Sequence, residues 1–339
     1  MTATVVTLGE LMMRLSPPRK LRLRQATSFD ICHGGAEANV ASALANFGLV
    51  SRFVSALPDT ELGTQALMML RANGVDARFV SRGPGRMGLY FMEEGADYRS
   101  GCVIYDRADS AFSHLDPADI NWDAVFGDAD WFHLSGITPA ISPKTRHLAE
   151  VSVSEARSRG VHISIDLNYR ERLWTYGTVP SDVLPALVSQ ADTLIAGRGD
   201  CPACLGLDGD GENGTDPWAR SLGEKIKSRF PRLKNIGITI RSSSTAEHHE
   251  WRAYFQNETE SVFSRAYEMQ NVIDRVGTGD AFSAGFIFGL LTKSTALEIV
   301  NFGAAANCLK HAIVGDANCV TVEEVEALAA ASSFGRLRR

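Results

Sequence analysis

Short β-branched, apolar runs recur along this chain and alternate with longer stretches whose apolar residues return every three or four positions. Residues 5–8, 52–56, 131–134, 161–167, 193–196 and 236–240 are too short for helices and apolar almost throughout, so they read as strands buried on both faces. Between them, 63–73, 144–159 and 218–230 have the spacing of amphipathic helices. Strand–helix alternation of this kind predicts an α/β fold, a doubly wound and mostly parallel sheet with helices on both faces. Ligands in such folds lie beyond the carboxyl ends of the strands.

Two stretches break the alternation. Residues 12–33 hold Pro17, Pro18 and an alternating segment at 21–25; residues 87–106 hold two strand-like runs, 87–92 and 102–105. They predict a small β-sheet inserted into one domain spanning 1–339, with lid segments at about 12–33 and 87–112. Apolar residues on the outer side of such a sheet need cover, which fits self-association into a homodimer or higher homo-oligomer.

Composition narrows the partners. A net charge of −6 argues against nucleic acid or an anionic membrane surface. No uninterrupted apolar run reaches the ~20 residues of a membrane span, and the N-terminus lacks the basic start and apolar core of a signal peptide, so a cytoplasmic location is expected. Six cysteines in 339 residues do not make a disulfide framework. Cys201-Pro-Ala-Cys204 has no second Cys-x-x-Cys to complete a zinc site and reads as structural. His248-His249-Glu250 reads as a polar loop or strand edge, residues 206–217 as a polar loop without full calcium-loop spacing, and Arg336 to Arg339 as a solvated end.

The densest chemistry lies in Asp274-Arg-Val-Gly-Thr-Gly-Asp-Ala-Phe-Ser-Ala-Gly-Phe286, where Gly277-Thr-Gly-Asp280 runs into a small-residue helix at 281–291. Glycines before a helix let the backbone approach a ligand closely. The first N–H groups of the helix are unpaired and lie at the positive end of its dipole, which makes an anion site. A carboxylate there repels a bound phosphate unless it takes a proton from a hydroxyl attacking that phosphate. Asp280 is therefore the candidate base, with Gly277, Thr278 and Gly279 as the anion hole. A tight loop with Asp as N-cap is the plainer reading; no Lys-Ser/Thr follows, so this is not a Walker A loop. A second glycine motif, Gly34-Gly-Ala-Glu-Ala-Asn39, opens a helix at 36–47.

The two motifs, in this order and separation, resemble the ribokinase-like sugar kinases, the phosphofructokinase-B family, over essentially the whole chain. Gly9-Glu10 with Arg14-Leu-Ser-Pro17, Trp131-Phe-His-Leu-Ser-Gly-Ile-Thr-Pro139, and Asp166-Leu-Asn-Tyr-Arg170 followed by Leu173-Trp174 are similar to the 2-keto-3-deoxygluconate kinase branch. The resemblance implies a ribokinase-like fold whose small sheet is a lid over the sugar and commonly a dimer interface. It implies an ATP- and Mg²⁺-dependent kinase that phosphorylates 2-keto-3-deoxygluconate at its terminal hydroxyl, giving 2-keto-3-deoxy-6-phosphogluconate. A kinase for a neutral ketohexose such as fructose or tagatose, and a sugar-binding relative without turnover, are the alternatives.

Gly34, Gly35 and Asn39 are expected to face the sugar, though Asn39 also reads as a buried amide satisfied within its helix. Arg170, just past a predicted strand end, suits the carboxylate that sets a sugar acid apart from a sugar. By resemblance Tyr90, Tyr105 and Arg107 from the lid complete that pocket and Asn168 supports it; for each arginine a surface ion pair is the alternative. Asp274 reads equally as a turn cap or a catalytic group. The nucleotide segments depart from the family. Where an Asn-x-x-Glu is usual, the chain has Gly197-Arg-Gly-Asp200, and where a glycine-bearing loop is usual it has Thr239-Ile-Arg-Ser-Ser-Ser244. Asp200, Arg241, Ser243, Gly277, Gly279 and Asn307 are the expected nucleotide contacts, with core packing the alternative for Asn307 and His311. The sequence names no metal ligands.

Overall fold

The computed structural model describes residues 2–330. Ten strands form the main sheet, ordered Ser261–Phe263, His249–Gln256, Asn235–Ser243, Thr193–Gly197, His162–Asp166, Trp131–Ser135, Thr4–Leu8, Val50–Pro58 and Val80–Gly83, with Tyr267–Met269 also pairing onto His249–Gln256. All pairs from Asn235–Ser243 to Val80–Gly83 are parallel; the three strands at the other edge are antiparallel. From Thr4–Leu8 the chain winds to one side of the sheet and then, through Trp131–Ser135, to the other, so the strand order reverses there. A crevice opens at such a reversal beyond the strand ends.

Side chains alternate between the faces of each strand, so each central strand feeds two cores. Val6, Leu8, Phe132 and Leu134 pack with helices Pro143–Ser158, Pro180–Val188 and Asp216–Arg229. Val5 and Trp131 pack with Ala36–Asn46, Thr278–Thr292 and Ala296–Lys310. Thr278–Thr292 is buried nearly all round, which its lack of a polar stripe requires. It lies close against Ala296–Lys310 because Gly285 and Gly303 face each other; a Cβ on Gly285 would stand 2.9 Å from the Gly303 Cα.

The second sheet has four strands, ordered Asp30–Gly34, Met12–Ser16, Leu89–Glu93 and Cys102–Asp106. Its segments fall within the two predicted insertions, but the strand expected at 21–25 is absent. That stretch is irregular with a single 3₁₀ turn, Leu23–Gln25. Its Leu-Arg alternation matches the strand period, yet it forms no ladder with a strand; Leu23 N–H donates instead to the Glu93 carboxylate (2.9 Å). The antiparallel edge at 249–269 and the short strand Val80–Gly83 were not anticipated. Cys201 and Cys204 are buried in the core beside Trp218. His249 starts a strand paired on both sides and is buried, and residues 206–215 form an irregular loop tethered by the Trp218 indole N–H to Asp208 (2.7 Å). Residues 336–339 lie outside the described residues. Among the described residues no helix is long and apolar enough to cross a membrane.

Candidate active site

The crevice is a cavity of about 560 Å³, roofed by the small sheet and floored by the carboxyl ends of Thr193–Gly197, His162–Asp166 and Asn235–Ser243. Both glycine motifs reach it. Gly277 caps the helix Thr278–Thr292 in the left-handed region (φ +76°), and a Cβ there would overlap the Asp316 carbonyl oxygen, so conformation and space both demand glycine. No side chain caps this helix, which leaves its first N–H groups to whatever enters the cavity. Gly35 plays a different part: its backbone is extended, but a Cβ would collide with the Glu10 carbonyl.

A hydrogen bond joins the two motifs. Asn39 Nδ2, on the first turn of Ala36–Asn46, donates to Asp280 Oδ2 at 2.7 Å. Burial raises the Asp280 carboxyl to about 6, against the opposing pull of the Asn39 bond and of the Arg170 charge. Asp280 thus remains ionised near neutrality, is held by a donor, and sits one turn inside an uncapped helix end. That geometry suits a group that accepts a proton next to a bound anion.

Asp166 ends its strand in the same cavity and was not anticipated as a site residue. Its Oδ2 accepts from Ser283 on the Asp280 helix (2.9 Å), and its Oδ1 accepts from the Asn168 N–H (3.1 Å). Burial and the neighbouring Asp200 push its carboxyl up to about 8. Burial also raises Asp200, whose Oδ2 accepts the Gly197 N–H at 2.6 Å. Asn168 has a positive φ (+41°), which turns the chain so that Asn168 and Arg170 both line the cavity.

Tyr90 and Tyr105 project from the small sheet with ring centroids 6.2 Å apart. The Tyr90 hydroxyl donates to Asp316, a second unanticipated residue. Asp316 also faces Arg14 Nη1 at 3.1 Å, and Arg14 Nη2 donates to Asp274 at 2.6 Å. The Asp274 carboxylate in turn accepts from the Val276 and Gly315 N–H groups. Asp274 is therefore a turn cap and ion-pair partner behind the glycine loop.

Three expected contacts lie elsewhere. Arg107 does not line the cavity: it is buried in an ion pair with Glu10, a partner across the lid that local sequence does not indicate. Ser243 lies toward the strand edge and shares a hydrogen bond with His249 Nδ1 (2.7 Å). Gly34 backs Asp316 and is not part of the wall. Gly35, Asn39, Tyr90, Tyr105, Asn168, Arg170, Asp200, Arg241, Asn307 and residues 277–280 do line it. Asn307 Nδ2 donates to the Thr278 carbonyl (2.8 Å) and so steadies the first turn of the helix. His311 is buried, its Nδ1 hydrogen-bonded to the Asn307 carbonyl (2.9 Å). Arg198 and Arg275 line the cavity unanticipated. Both stand inside motif segments, Gly197-Arg-Gly-Asp200 and Asp274-Arg275, with no local signal of their own.

Among known proteins, the pfkB family carbohydrate kinase model matches residues 2–233 and 250–322. A 2-dehydro-3-deoxygalactonokinase from Haloferax volcanii is 35% identical over 329 residues, covering 96% of both chains. The crystal structure of a 2-dehydro-3-deoxygluconokinase from Thermotoga maritima superposes with a TM-score of 0.92 at 39% identity, covering 97% of this chain and 100% of that one. A putative ribokinase II from E. coli, solved in complex with ATP and Mg²⁺, shares the fold at 17% identity and a TM-score of 0.79, covering 96% of this chain and 98% of its own.

Proposed function

This chain belongs to the pfkB family of carbohydrate kinases, and on that premise we propose that it phosphorylates a 2-keto-3-deoxy sugar acid at its terminal hydroxyl. The gluconate and galactonate epimers, named for the two similar kinases, are the first substrates to consider. The observation that carries the reading is the Asn39–Asp280 bond, which places an oriented carboxylate at an uncapped helix end.

Asp280 takes the proton of the attacking hydroxyl, and the N–H groups of residues 277–280 hold the oxygens of the transferring phosphoryl group. Asn39 keeps the carboxylate turned toward the acceptor. Arg170 has no ion-pair partner within 4 Å among the described residues, its Nη1 reaching only the Tyr169 carbonyl (3.0 Å), and it is free to take the substrate carboxylate. Tyr105, beside it in the wall, and Asn168 complete that end of the cavity. Arg107 supports the lid through Glu10.

Mg²⁺ fits this site as an ion carried on ATP. No cluster of three or more His, Cys, Asp or Glu forms a cage among the described residues, and an ion held mainly by phosphates needs only one or two carboxylates. Asp200, one of the aspartates in the wall, would meet it. Bound there, the ion would supply positive charge against the phosphates.

The test is ADP release with Mg²⁺-ATP across both epimers, fructose, tagatose and ribose. Turnover of a keto-deoxy acid, lost in Asp280→Asn, is the expected result; preference for a neutral sugar would remove the carboxylate assignment to Arg170. We also propose that two copies pair through the outer face of the lid. Ile31, Leu15, Phe91 and Ile104 stand in one row across its four strands, with Ile31 51% and Ile104 49% exposed.

A further inference from the structure

Several guanidinium groups elsewhere in this protein find carboxylates. Arg14 faces Asp274 and Asp316, Arg107 faces Glu10, and Arg157 faces Asp192. Arg170 and three further arginines in the cleft do not. Arg198, Arg241 and Arg275 line the same cavity as the glycine loop. Among the described residues none of them has a carboxylate within 4 Å or donates a side-chain hydrogen bond. Each carries five N–H donors, so up to fifteen donors converge with no protein acceptor.

Their positions in the fold are distinct from that of Arg170. Arg198 follows the strand Thr193–Gly197, Arg241 lies in the neighbouring strand Asn235–Ser243, and Arg275 opens the glycine loop itself. The three come from separate elements and line one cavity. Two of them, Arg241 and Arg275, also repel each other. The protein wall around it and the charges of Arg275 and Arg170 push the Arg241 guanidinium, itself still open to solvent, down to about 10. Like charges held together without counter-charge make a site for a polyanion, because a dense negative chain relieves repulsion and desolvation together. The single carboxylate facing Arg241 is Asp200, whose Oδ2 is engaged by the Gly197 N–H.

We infer that the donor end of the cleft recognises a polyphosphate chain directly through Arg198, Arg241 and Arg275, so that affinity for the donor resides in its phosphates and little of it in its base. The inference rests on the kinase reading in that it takes this end of the cavity as the donor side. It assigns donor recognition to side-chain guanidinium groups at two positions, 241 in the Thr239–Ser244 segment and 198 in Gly197–Asp200, where backbone glycines or an amide were expected.

The experiment is calorimetric titration of the folded protein, without sugar, with ATP, inorganic tripolyphosphate and adenosine. Tripolyphosphate is expected to bind within about tenfold of ATP and adenosine at least ~100-fold more weakly, since charge-assisted contacts to phosphate carry the affinity. In Arg241→Ala/Arg275→Ala, both phosphate ligands are expected to weaken by roughly 100-fold. Circular dichroism and thermal melting check that the variant folds; Arg198→Ala, expected to weaken both ligands roughly tenfold, serves should it fail. Adenosine binding as tightly as ATP, or tripolyphosphate binding unchanged in the folded variants, would overturn the inference. The two readings separate cleanly. Arginine-dependent tripolyphosphate binding without transfer to any sugar acid keeps this inference and removes the kinase reading. Transfer from ATP without tripolyphosphate binding does the reverse.

Discussion

Asp280 combines two demands that usually conflict: burial, which disfavours its charge, and a role that needs the charge. Asn39 and the Arg170 field reconcile them by holding the carboxyl at about 6. Turnover should therefore fall with an apparent pKa near 6 as pH is lowered, and Asp280→Asn should lose roughly 10²–10⁴ in kcat with KM little changed. A pH–rate profile from 5 to 9 checks the first and steady-state kinetics the second. Arg170→Ala should raise KM for a sugar acid by roughly 10- to 100-fold while leaving a poor neutral substrate untouched, because only the acid offers a carboxylate to the guanidinium.

Buried titratable groups also set the pH dependence of stability, with a sign that can be worked out. Glu37 is raised to about 7 and Asp166 to about 8, both by burial, so the folded state binds more protons than the unfolded state above the ordinary carboxylate range. Their stabilising contribution is present at low pH and is lost as pH rises through those values. Burial lowers His133 to about 3 and His162, His249 and His311 to about 4, which acts in the opposite sense and fades within about one pH unit above the ordinary histidine value near 6.5. Above about pH 7.5 the carboxylates dominate, and the melting temperature of the unliganded protein should decline from there to about pH 8.5. The decline should be shallower in Asp166→Asn, as thermal scans across that window would show.

At the level of elements, the lid is fastened to the glycine loop by Arg14, which is buried between Asp274 and Asp316. Asp316 also receives the Tyr90 hydroxyl from the next lid strand, and its backbone presses on Gly277. Removing the guanidinium leaves two buried carboxylates facing each other. Arg14→Met should cost roughly 3–5 kcal/mol, readable by urea unfolding. The catalytic helix is positioned differently, by the absence of side chains at Gly285 and Gly303. Gly285→Val should push it from its neighbour and cost about 1–3 kcal/mol, with a parallel loss of kcat as the Asp280 end shifts.

For the whole molecule, the open row Ile31–Leu15–Phe91–Ile104 bears on assembly and on the site together, because Tyr90 and Tyr105 hang from the opposite face of the same strands. If copies pair through that row, Ile31→Asp/Ile104→Asp should yield monomers in light scattering and also raise KM for the sugar acid. A monomeric wild-type protein would remove the proposal. Strands exposed at a sheet surface need such cover or charge, and this face has an apolar middle.

Local sequence already determined the sheet order's raw material, the two glycine-opened helices and the acid Asp280. Each of these rests on short-range physics: burial of β-branched runs, the conformational freedom of glycine, and unpaired N–H groups at a helix start. Long-range pairing decided the rest. The strand expected at 21–25 had the right alternation and no partner, whereas 249–256 found three. Arg107 had the right chemistry for a substrate carboxylate and met Glu10, 97 residues away, first. Asp166, Asp316, Arg198 and Arg275 line the cavity although no local pattern singles them out, because a cavity wall is assembled from strand ends far apart in the chain. Which charged groups remain without a partner, and are therefore left for ligands, is a property of the folded charge network alone.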